Sequence, residues 1–298
     1  DLQISEVHYN PSSPNESEQA LLPDLSASDL EFFELSNISQ RRLSLSGVRV
    51  KGGVSFQFQE NRLSELSPGA SLVLVRNRNA FELRYPSVQS DIFEYKGALN
   101  NDRDLLEVLG ADGVVLVQFA YEDSWYPATD GLGFSLVHSG AASVEEGALA
   151  RLFYGPSHLI GGSPGQAGGR SLIPPYVVVS EVLNNSNPPE LDAIELTNQG
   201  DEAMDISHWF LTDDLRSPRK FRVPEGTILE TGDWLVFRED LFGKVSETGA
   251  GFGLSSRGDD VYLLSGNEAG NLTGYVDGFK FGPLPAGATQ GPYINSVG

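Results

Sequence analysis

The segment Leu2-Gln3-Ile4-Ser5-Glu6-Val7 recurs later in the chain as Val177-Val178-Val179-Ser180-Glu181-Val182. Four further blocks recur in the same order. They pair Phe33-Glu34-Leu35-Ser36-Asn37 with Ile194-Glu195-Leu196-Thr197-Asn198, 45–48 with 206–209, 69–74 with 232–237, and 99–106 with 254–261. The spacing between blocks changes only across polar or glycine-rich stretches, as it does when loops of a shared scaffold differ in length. The sequence therefore predicts two tandem copies of one structural unit.

Apolar residues within each copy recur with the period of two that is typical of strands, or in short β-branched runs. The run 72–75 is apolar on both faces, which predicts a central strand. Helical turns are expected only near 16–22, 79–84 and 239–243. Turn residues at 111–113 and 257–259 separate strand patterns. We expect an all-β protein of two tandem immunoglobulin-like β-sandwich domains.

A glycine- and proline-rich stretch, 155–171, lies between the copies and has the composition of a linker. We place the first domain at 1–170, with this linker at its end, and the second at 171–298. The first copy is longer mainly through a polar loop at 11–29. The second has no evident terminal strand, which predicts a sandwich that closes differently or is incomplete at its C-terminus.

Negative charge is spread over both halves of this chain, whose formal net charge is −21. Residues 1–170 hold 22 acidic and 12 basic side chains (net −10), and residues 171–298 hold 19 and 8 (net −11). Such a field repels phosphate backbones and anionic lipids, so nucleic-acid binding is not expected. Cysteine is absent, which excludes disulfides and thiol chemistry. No apolar run approaches the length of a membrane helix, so no membrane insertion is expected, and any signal peptide has been removed or was never included.

The recurring blocks resemble the lamin tail domain family, in its bacterial extracellular form. In the first copy the residues that carry the resemblance are Ile4-Ser5-Glu6-Val7, 31–37, 45–48, 67–69, 125–136 and Ser163-Pro164-Gly165. In the second copy they are Ser180-Glu181-Val182, 192–198, 205–207 and 270–275. The resemblance implies immunoglobulin-like sandwiches in a secreted or surface-exposed protein, acting as interaction or spacer modules, with no established catalytic residues.

No catalytic constellation is expected, and no cofactor. The histidines His8, His138, His158 and His208 are scattered, and no nucleophile motif accompanies them, so they are interpreted as structural or surface residues. His8 and His208 fall in strand patterns. No phosphate-binding loop and no paired-histidine metal motif is present.

The repeated glutamates are the best polar candidates. Glu6 and Glu34 correspond to Glu181 and Glu195, all on predicted strands. The favoured interpretation is that they accept hydrogen bonds from backbone or hydroxyl groups at a sheet edge, or pair with an arginine. The alternative is a divalent-cation site, with calcium as the cofactor, because hard cations favour carboxylate oxygens. A metal-dependent hydrolase built on these carboxylates is the corresponding enzymatic alternative.

Other charged motifs are interpreted as turns. They are 101–104, Thr212-Asp213-Asp214, the tripeptide Arg257-Gly258-Asp259, and the basic cluster of Arg219, Lys220 and Arg222. For the basic cluster, a contact with the acidic neighbouring domain is favoured equally with a turn. Adhesion through the tripeptide and anion binding by the cluster are the alternatives.

Aromatic residues suggest one further alternative, a carbohydrate-binding module that uses Trp125, Tyr126 or Trp234. The favoured interpretation is that Trp209 is core, Trp234 is exposed, and Trp125 and Tyr126 pack over one end of the sandwich. A protein partner or self-assembly is the expected mode of interaction.

Overall fold

The structure, a computed structural model, describes residues 1–59, 65–140, 150–166, 171–172, 174–245 and 249–292. The chain divides into two compact units, 1–173 and 174–298. Both are built mainly of strands, which confirms the all-β prediction. No helix in the described ranges has the length and apolarity needed to cross a membrane.

The first unit contains thirteen strands and two α-helices among its described residues. The strands are β1 Leu2–His8, β2 Phe32–Asn37, β3 Leu43–Ser44, β4 Arg49–Lys51, β5 Val54–Gln57, β6 Glu65–Leu66, β7 Ser71–Val75, β8 Asp91–Glu94, β9 Lys96–Gly97, β10 Arg103–Leu109, β11 Val115–Glu122, β12 Leu136–His138 and β13 Tyr154–Pro156. The helices are α1 Glu16–Leu21 and α2 Arg78–Arg84, with short 3-10 turns at Ala27–Leu30, Asp123–Trp125, Pro127–Thr129 and Ala150–Phe153.

Two sheets of the first unit enclose one core. The first has the order β13-β12-β1-β2-β7-β8, the second has the order β11-β10-β4-β5-β9, and β3 pairs with β6 at the side. Strand β11 shows the alternation that builds such a core, because Val117, Phe119 and Tyr121 are buried and their neighbours are exposed. The predicted central strand is β7, whose residues 72–75 are fully buried between β2 and β8.

The outer face of the larger sheet is covered at one end by α2, which places Phe81 on Phe32 and Val73. His8 lies in the same layer, with its ring edge-to-face on Phe32 at 5.4 Å between centroids. Both ring nitrogens of His8 are buried and have no hydrogen-bond partner among the described residues. Burial lowers the pKa of His8 to about 3, and nearby Arg84 adds to the effect.

The second unit has nine strands and one α-helix among its described residues. They are β14 Val177–Leu183, β15 Ala193–Asn198, β16 Met204–Asp205, β17 Phe210–Thr212, β18 Phe221–Arg222, β19 Ile228–Leu229, β20 Trp234–Arg238, β21 Asp259–Gly266, β22 Leu272–Phe281 and α3 Glu239–Phe242. A three-stranded sheet, β14-β15-β20, faces a four-stranded sheet, β18-β17-β21-β22, and β16 pairs with β19. One core of buried side chains joins the two sheets.

Most local predictions are confirmed. The three helical turns occur as α1, α2 and α3, and Trp209 is a core residue. His208 is a correction, since it lies in a turn before β17 with a φ of 69°. The segment 155–171 is a second correction: it starts in β13, and Ser163-Pro164-Gly165 binds the large sheet, while its residues 167–170 lie outside the described residues.

Replacing His8 with leucine is expected to stabilise the first unit. The substitution introduces an apolar side chain of similar size and removes two buried polar atoms without partners, which should raise the free energy of unfolding by about 1–3 kcal/mol at pH 7. Urea unfolding followed by fluorescence measures the change. A variant less stable than the wild type would show that the imidazole makes a favourable contact.

Candidate functional site

A β-bulge sets the position of the repeated glutamates. The pairing of β1 with β2 shifts between Ile4 and Glu6, so that Ser5 has no partner opposite it. Ile4 and Val7 both remain in the core, although their spacing of three breaks the strand period. Glu6 then lies directly opposite Glu34, on the outer face of the larger sheet.

Glu6 is almost completely buried and accepts several hydrogen bonds. Its Oε1 accepts from the Ser135 hydroxyl at 2.6 Å and from the Ser163 backbone N–H at 2.9 Å, and its Oε2 accepts from the Ser163 hydroxyl at 3.4 Å. Burial and, to a smaller extent, the facing charge of Glu34 raise the pKa of Glu6 to about 7, against the lowering effect of these hydrogen bonds.

Glu34 is held in the same way. Its Oε1 accepts from the Ser5 hydroxyl at 2.6 Å and from the Ser36 hydroxyl at 3.3 Å, and its Oε2 accepts from the Gly165 backbone N–H at 2.6 Å. Burial raises the pKa of Glu34 above its usual range, although all these donors lower it. The glutamates thus bind hydroxyls and backbone amides as predicted, but in the middle of a sheet rather than at its edge.

The backbone donors come from residues 161–165, which we call the closing segment. It crosses the outer face of the sheet, and the Tyr85 hydroxyl donates to the Gly161 carbonyl at 2.9 Å. Gly162 has a φ of 74°, and a Cβ at this position would lie 1.9 Å from Glu6 Oε1. The two carboxylates therefore fasten the end of the first unit to its centre, and only glycine fits at 162.

The second unit contains the same arrangement in a more open form. Glu181 lies opposite Glu195, and the pairing shifts between Val179 and Glu181. The Ser180 hydroxyl donates to Glu195 Oε1 at 2.8 Å. The Thr289 hydroxyl donates to Glu181, and Gln290 pairs with Val182 through two backbone bonds of 2.8 and 2.9 Å. Residues 289–290 thus take the place of Ser135 and Leu136, because Val7 pairs with Leu136 and the Ser135 hydroxyl donates to Glu6 in the first unit.

Each glutamate pair borders a cleft. In the first unit a polar cleft of about 530 Å³ is lined by Gln3, Ser5, Glu6, Glu34 and Ser36, among others. In the second, a cleft of about 240 Å³ is lined by Glu181, Glu195, Val236, Arg238 and Thr289, among others. The carboxylates do come together, as a cation site requires, but the described residues contain no group of three or more metal-ligating side chains. Bound as they are to hydroxyls and amides, the first pair serves to hold the chain in place.

The remaining histidines do not join these glutamates in a catalytic arrangement. His138 Nδ1 accepts from the Gly140 N–H at 3.0 Å, and its ring stacks on Phe153. His158 is exposed, in the turn after β13.

Buried asparagines are the residues that the sequence analysis did not single out. Asn37 donates to the carbonyls of Arg41 and Leu66, and its Oδ1 accepts from the Ser39 N–H. Asn198 makes the matching bonds to Glu202 and Leu229 and accepts from Gly200. Asparagine stands at the same position of the two recurring blocks, and this repetition could have pointed to a structural role.

The charged motifs lie at turns but continue into neighbouring strands, because 103–104 begin β10, Arg222 ends β18 and Asp259 begins β21. The Asp102 N–H donates to Asn100 Oδ1. Gly258 closes a turn by donating to the Ser255 carbonyl, and Thr212 bonds the backbone of Asp214 and Ser217. In the basic cluster, Lys220 pairs with Asp213 at 2.5 Å. Arg219 donates to the Gly270 carbonyl, and Arg222 to the Glu268 carbonyl.

The aromatic predictions are confirmed. Trp125 is partly buried, edge-to-face on Phe119, and the Tyr126 hydroxyl donates to the Tyr154 carbonyl at 2.9 Å. Trp234 is 65% exposed.

Substitution of Gly162 by alanine should detach the closing segment, because the new Cβ overlaps a buried carboxylate. Gly69→Ala is the matched control, since Gly69 has a φ of 70° and no atom within 4 Å of its Cβ position. Both variants carry the left-handed backbone cost of about 1–2 kcal/mol. We expect Gly162→Ala to lose at least about 2 kcal/mol more than the control in urea unfolding. Equal losses would show that the segment does not bind as described.

The buried carboxyl pair predicts a pH-dependent stability. A raised carboxyl pKa in the folded state stabilises the fold fully below the unfolded value of about 4.5, and this contribution is lost as the pH rises through about 7. Glu6→Gln removes the ionisation. Relative to the wild type, this variant should therefore gain up to about 3 kcal/mol between pH 4.5 and pH 8. Parallel urea titrations of both proteins at several pH values measure the difference, and a constant difference would contradict the raised pKa.

Comparison with known families finds a match within the second unit. Residues 174–280 match the family model of the Lamin Tail Domain. A comparison of the chain with curated proteins finds no match. The matched family is immunoglobulin-like and non-enzymatic, and its domains are typically binding or structural, so residues 174–280 are similar to a non-catalytic module.

Proposed function

We propose that this chain is a non-catalytic binding or spacer region of a secreted or surface-exposed bacterial protein, formed by two copies of a lamin-tail-like sandwich. Its role is adhesion or assembly through contacts with a protein partner. The observation that carries the proposal is the facing glutamate pair on a bulged strand, which occurs in the second unit, where the family matches, and again in the first.

Further shared geometry supports the duplication. The turn that closes from Val48 N–H to the Leu45 carbonyl corresponds to the turn from Trp209 to Ile206. Gly47 and His208 hold the same left-handed position in these turns, with φ of 73° and 69°. A left-handed backbone is unfavourable for histidine, so its occurrence at this position indicates that both units share the same backbone conformation in this turn.

The chemistry of the first glutamate pair supports a non-catalytic role. A hydrolase needs a carboxylate free to bind a metal or to move a proton. The carboxylate oxygens of Glu6 and Glu34 instead accept hydrogen bonds from serine hydroxyls and backbone N–H groups that hold the fold together.

Protein contacts are favoured over carbohydrate. Sugar recognition relies on exposed aromatic faces, and of the three rings considered only Trp234 offers one. Trp125 and Tyr126 are engaged in packing and hydrogen bonding.

Surface cross-linking on cells of the producing bacterium tests the proposal. A photo-reactive version of the chain, added to intact cells, is expected to form adducts with protein, and antibody should detect the native protein outside the cytoplasm. A glycan array run with the wild type and Trp234→Ala serves as the comparison. Cytoplasmic retention, or glycan binding that depends on Trp234 with no protein adduct, would overturn the proposal.

A further inference from the structure

Strand β20 has a free edge. It pairs with β15 on one side, and no strand of the described residues pairs with the other. The Asn198 N–H donates to the Asp233 carbonyl and the Glu239 N–H to the Asp192 carbonyl, with an unbroken register between them. By alternation, the backbone groups of Trp234, Val236 and Arg238 point away from β15, toward the free edge.

The corresponding edge in the first unit is occupied. Strand β7 aligns with β20 through the repeated block 69–74, and β8 pairs with β7 in parallel. Leu72 lies beside Asp91, Val73 beside Ile92, Leu74 beside Phe93 and Val75 beside Glu94.

The connections that follow the two helices differ in length. In the first unit, residues 85–97 connect α2 to Ala98, whose N–H donates to the Gly53 carbonyl. In the second, residues 243–250 connect α3 to Gly251, whose N–H donates to the Lys220 carbonyl. None of the described residues in this shorter connection pairs with β20.

Apolar side chains along the free edge are correspondingly exposed. Leu72 and Val73, on the strand beside β8, are fully buried, whereas the aligned Leu235 and Val236 are only half-buried and Trp234 is 65% exposed. An added strand would bury this apolar strip and satisfy the outward backbone groups, as in β-augmentation.

Charges at the two ends of β20 define which strand fits. Exposed Glu230 and Asp233 precede Trp234, and exposed Arg238 ends the strand. In the register of β8, the first residue of an added parallel strand lies beside Leu235, near this acidic end, and the fourth lies beside Arg238. A basic first residue and an acidic fourth residue complement these charges.

We propose that the free edge of β20 binds an extended segment of a protein partner as a parallel strand, in which a basic residue, two apolar residues and an acidic residue follow one another. This inference rests on the proposed protein-binding function and names its site. The lysine or arginine of the segment lies at the Trp234 end, and its apolar residues cover Leu235 and Val236.

A peptide derived from β8 tests the fit. The probe has the sequence of residues 89–96 with Asp91→Lys, and the comparison peptides are the unchanged sequence and the probe sequence reversed. In fluorescence anisotropy at low salt, the probe should bind the intact chain at least about fivefold more tightly than either comparison, because each places like charges at one or both ends of the strand. Equal binding of all three would overturn the proposal.

A proline at the edge isolates the backbone contact. Val236→Pro removes an N–H that faces the free edge and leaves the ladder to β15 intact, whereas Val236→Ala keeps the N–H. Probe affinity should fall at least tenfold in the first and less in the second, with folding checked by circular dichroism. If Val236→Pro does not fold, hydrogen exchange on the wild type replaces it: the amides of Trp234, Val236 and Arg238 should slow about tenfold with saturating probe. Unchanged exchange, or full affinity of a folded Val236→Pro, would refute the site.

The same variant separates this inference from the proposed function. Cell-surface protein adducts that disappear in folded Val236→Pro and persist in Val236→Ala support both. Adducts that persist equally in Val236→Pro overturn the β20 site and leave the protein-binding function intact. Failure of the wild type to form adducts overturns the proposed function itself.

Discussion

Two buried carboxyl groups that face each other across neighbouring strands are the constraint on which the first unit depends. Like charges directly opposite on a sheet are unfavourable, and burial makes them more so. Here the cost is offset because hydroxyls of β1, β2 and the segment before β12 converge on the pair, together with two backbone amides of the closing segment. The closing segment, near the end of the unit, thereby binds β1 and β2 at the centre of the larger sheet. The sheet is complete only when this segment contacts the strands at the start of the chain.

The bulge at Ser5 makes this arrangement compatible with a core. Without it, strict alternation would direct either Ile4 or Val7 outward, and Glu6 would point into the apolar layer. One extra residue keeps both apolar side chains inside and turns Glu6 toward Glu34. The same offset at Ser180 in the second unit shows that the motif Ser-Glu followed by valine encodes a backbone irregularity as well as a polar group.

The sequence was sufficient for the longer strands with a clear pattern of apolar residues, and the reason is their periodicity. The alternation in β11 and the doubly apolar run in β7 predict half-buried and central strands directly, and both occur. The hydrogen-bond partners of Glu6 could not be predicted from the sequence, because Ser135 and Ser163 are separated from it by 129 and 157 residues. Local composition also misled: glycines in 155–165 suggested a linker, whereas Gly162 is required by its contact with a carboxylate. The spacing of three between Ile4 and Val7 was the one local sign of the bulge.

The two units differ at the sheet edge, where unpaired backbone N–H and C=O groups can bind another strand. In the first, the larger sheet ends in β8, a four-residue strand with a charged residue at each end, and such a short charged edge discourages pairing with other chains. In the second, β20 is the last strand of its sheet among the described residues, with an exposed tryptophan beside half-buried apolar neighbours. An edge strand that does not bind a partner is expected to carry charged side chains along its length, which prevent pairing with other chains. In β20 the only charged side chain is that of Arg238. The proposed interaction surface therefore lies where the described residues of the second unit lack a strand that the first unit has.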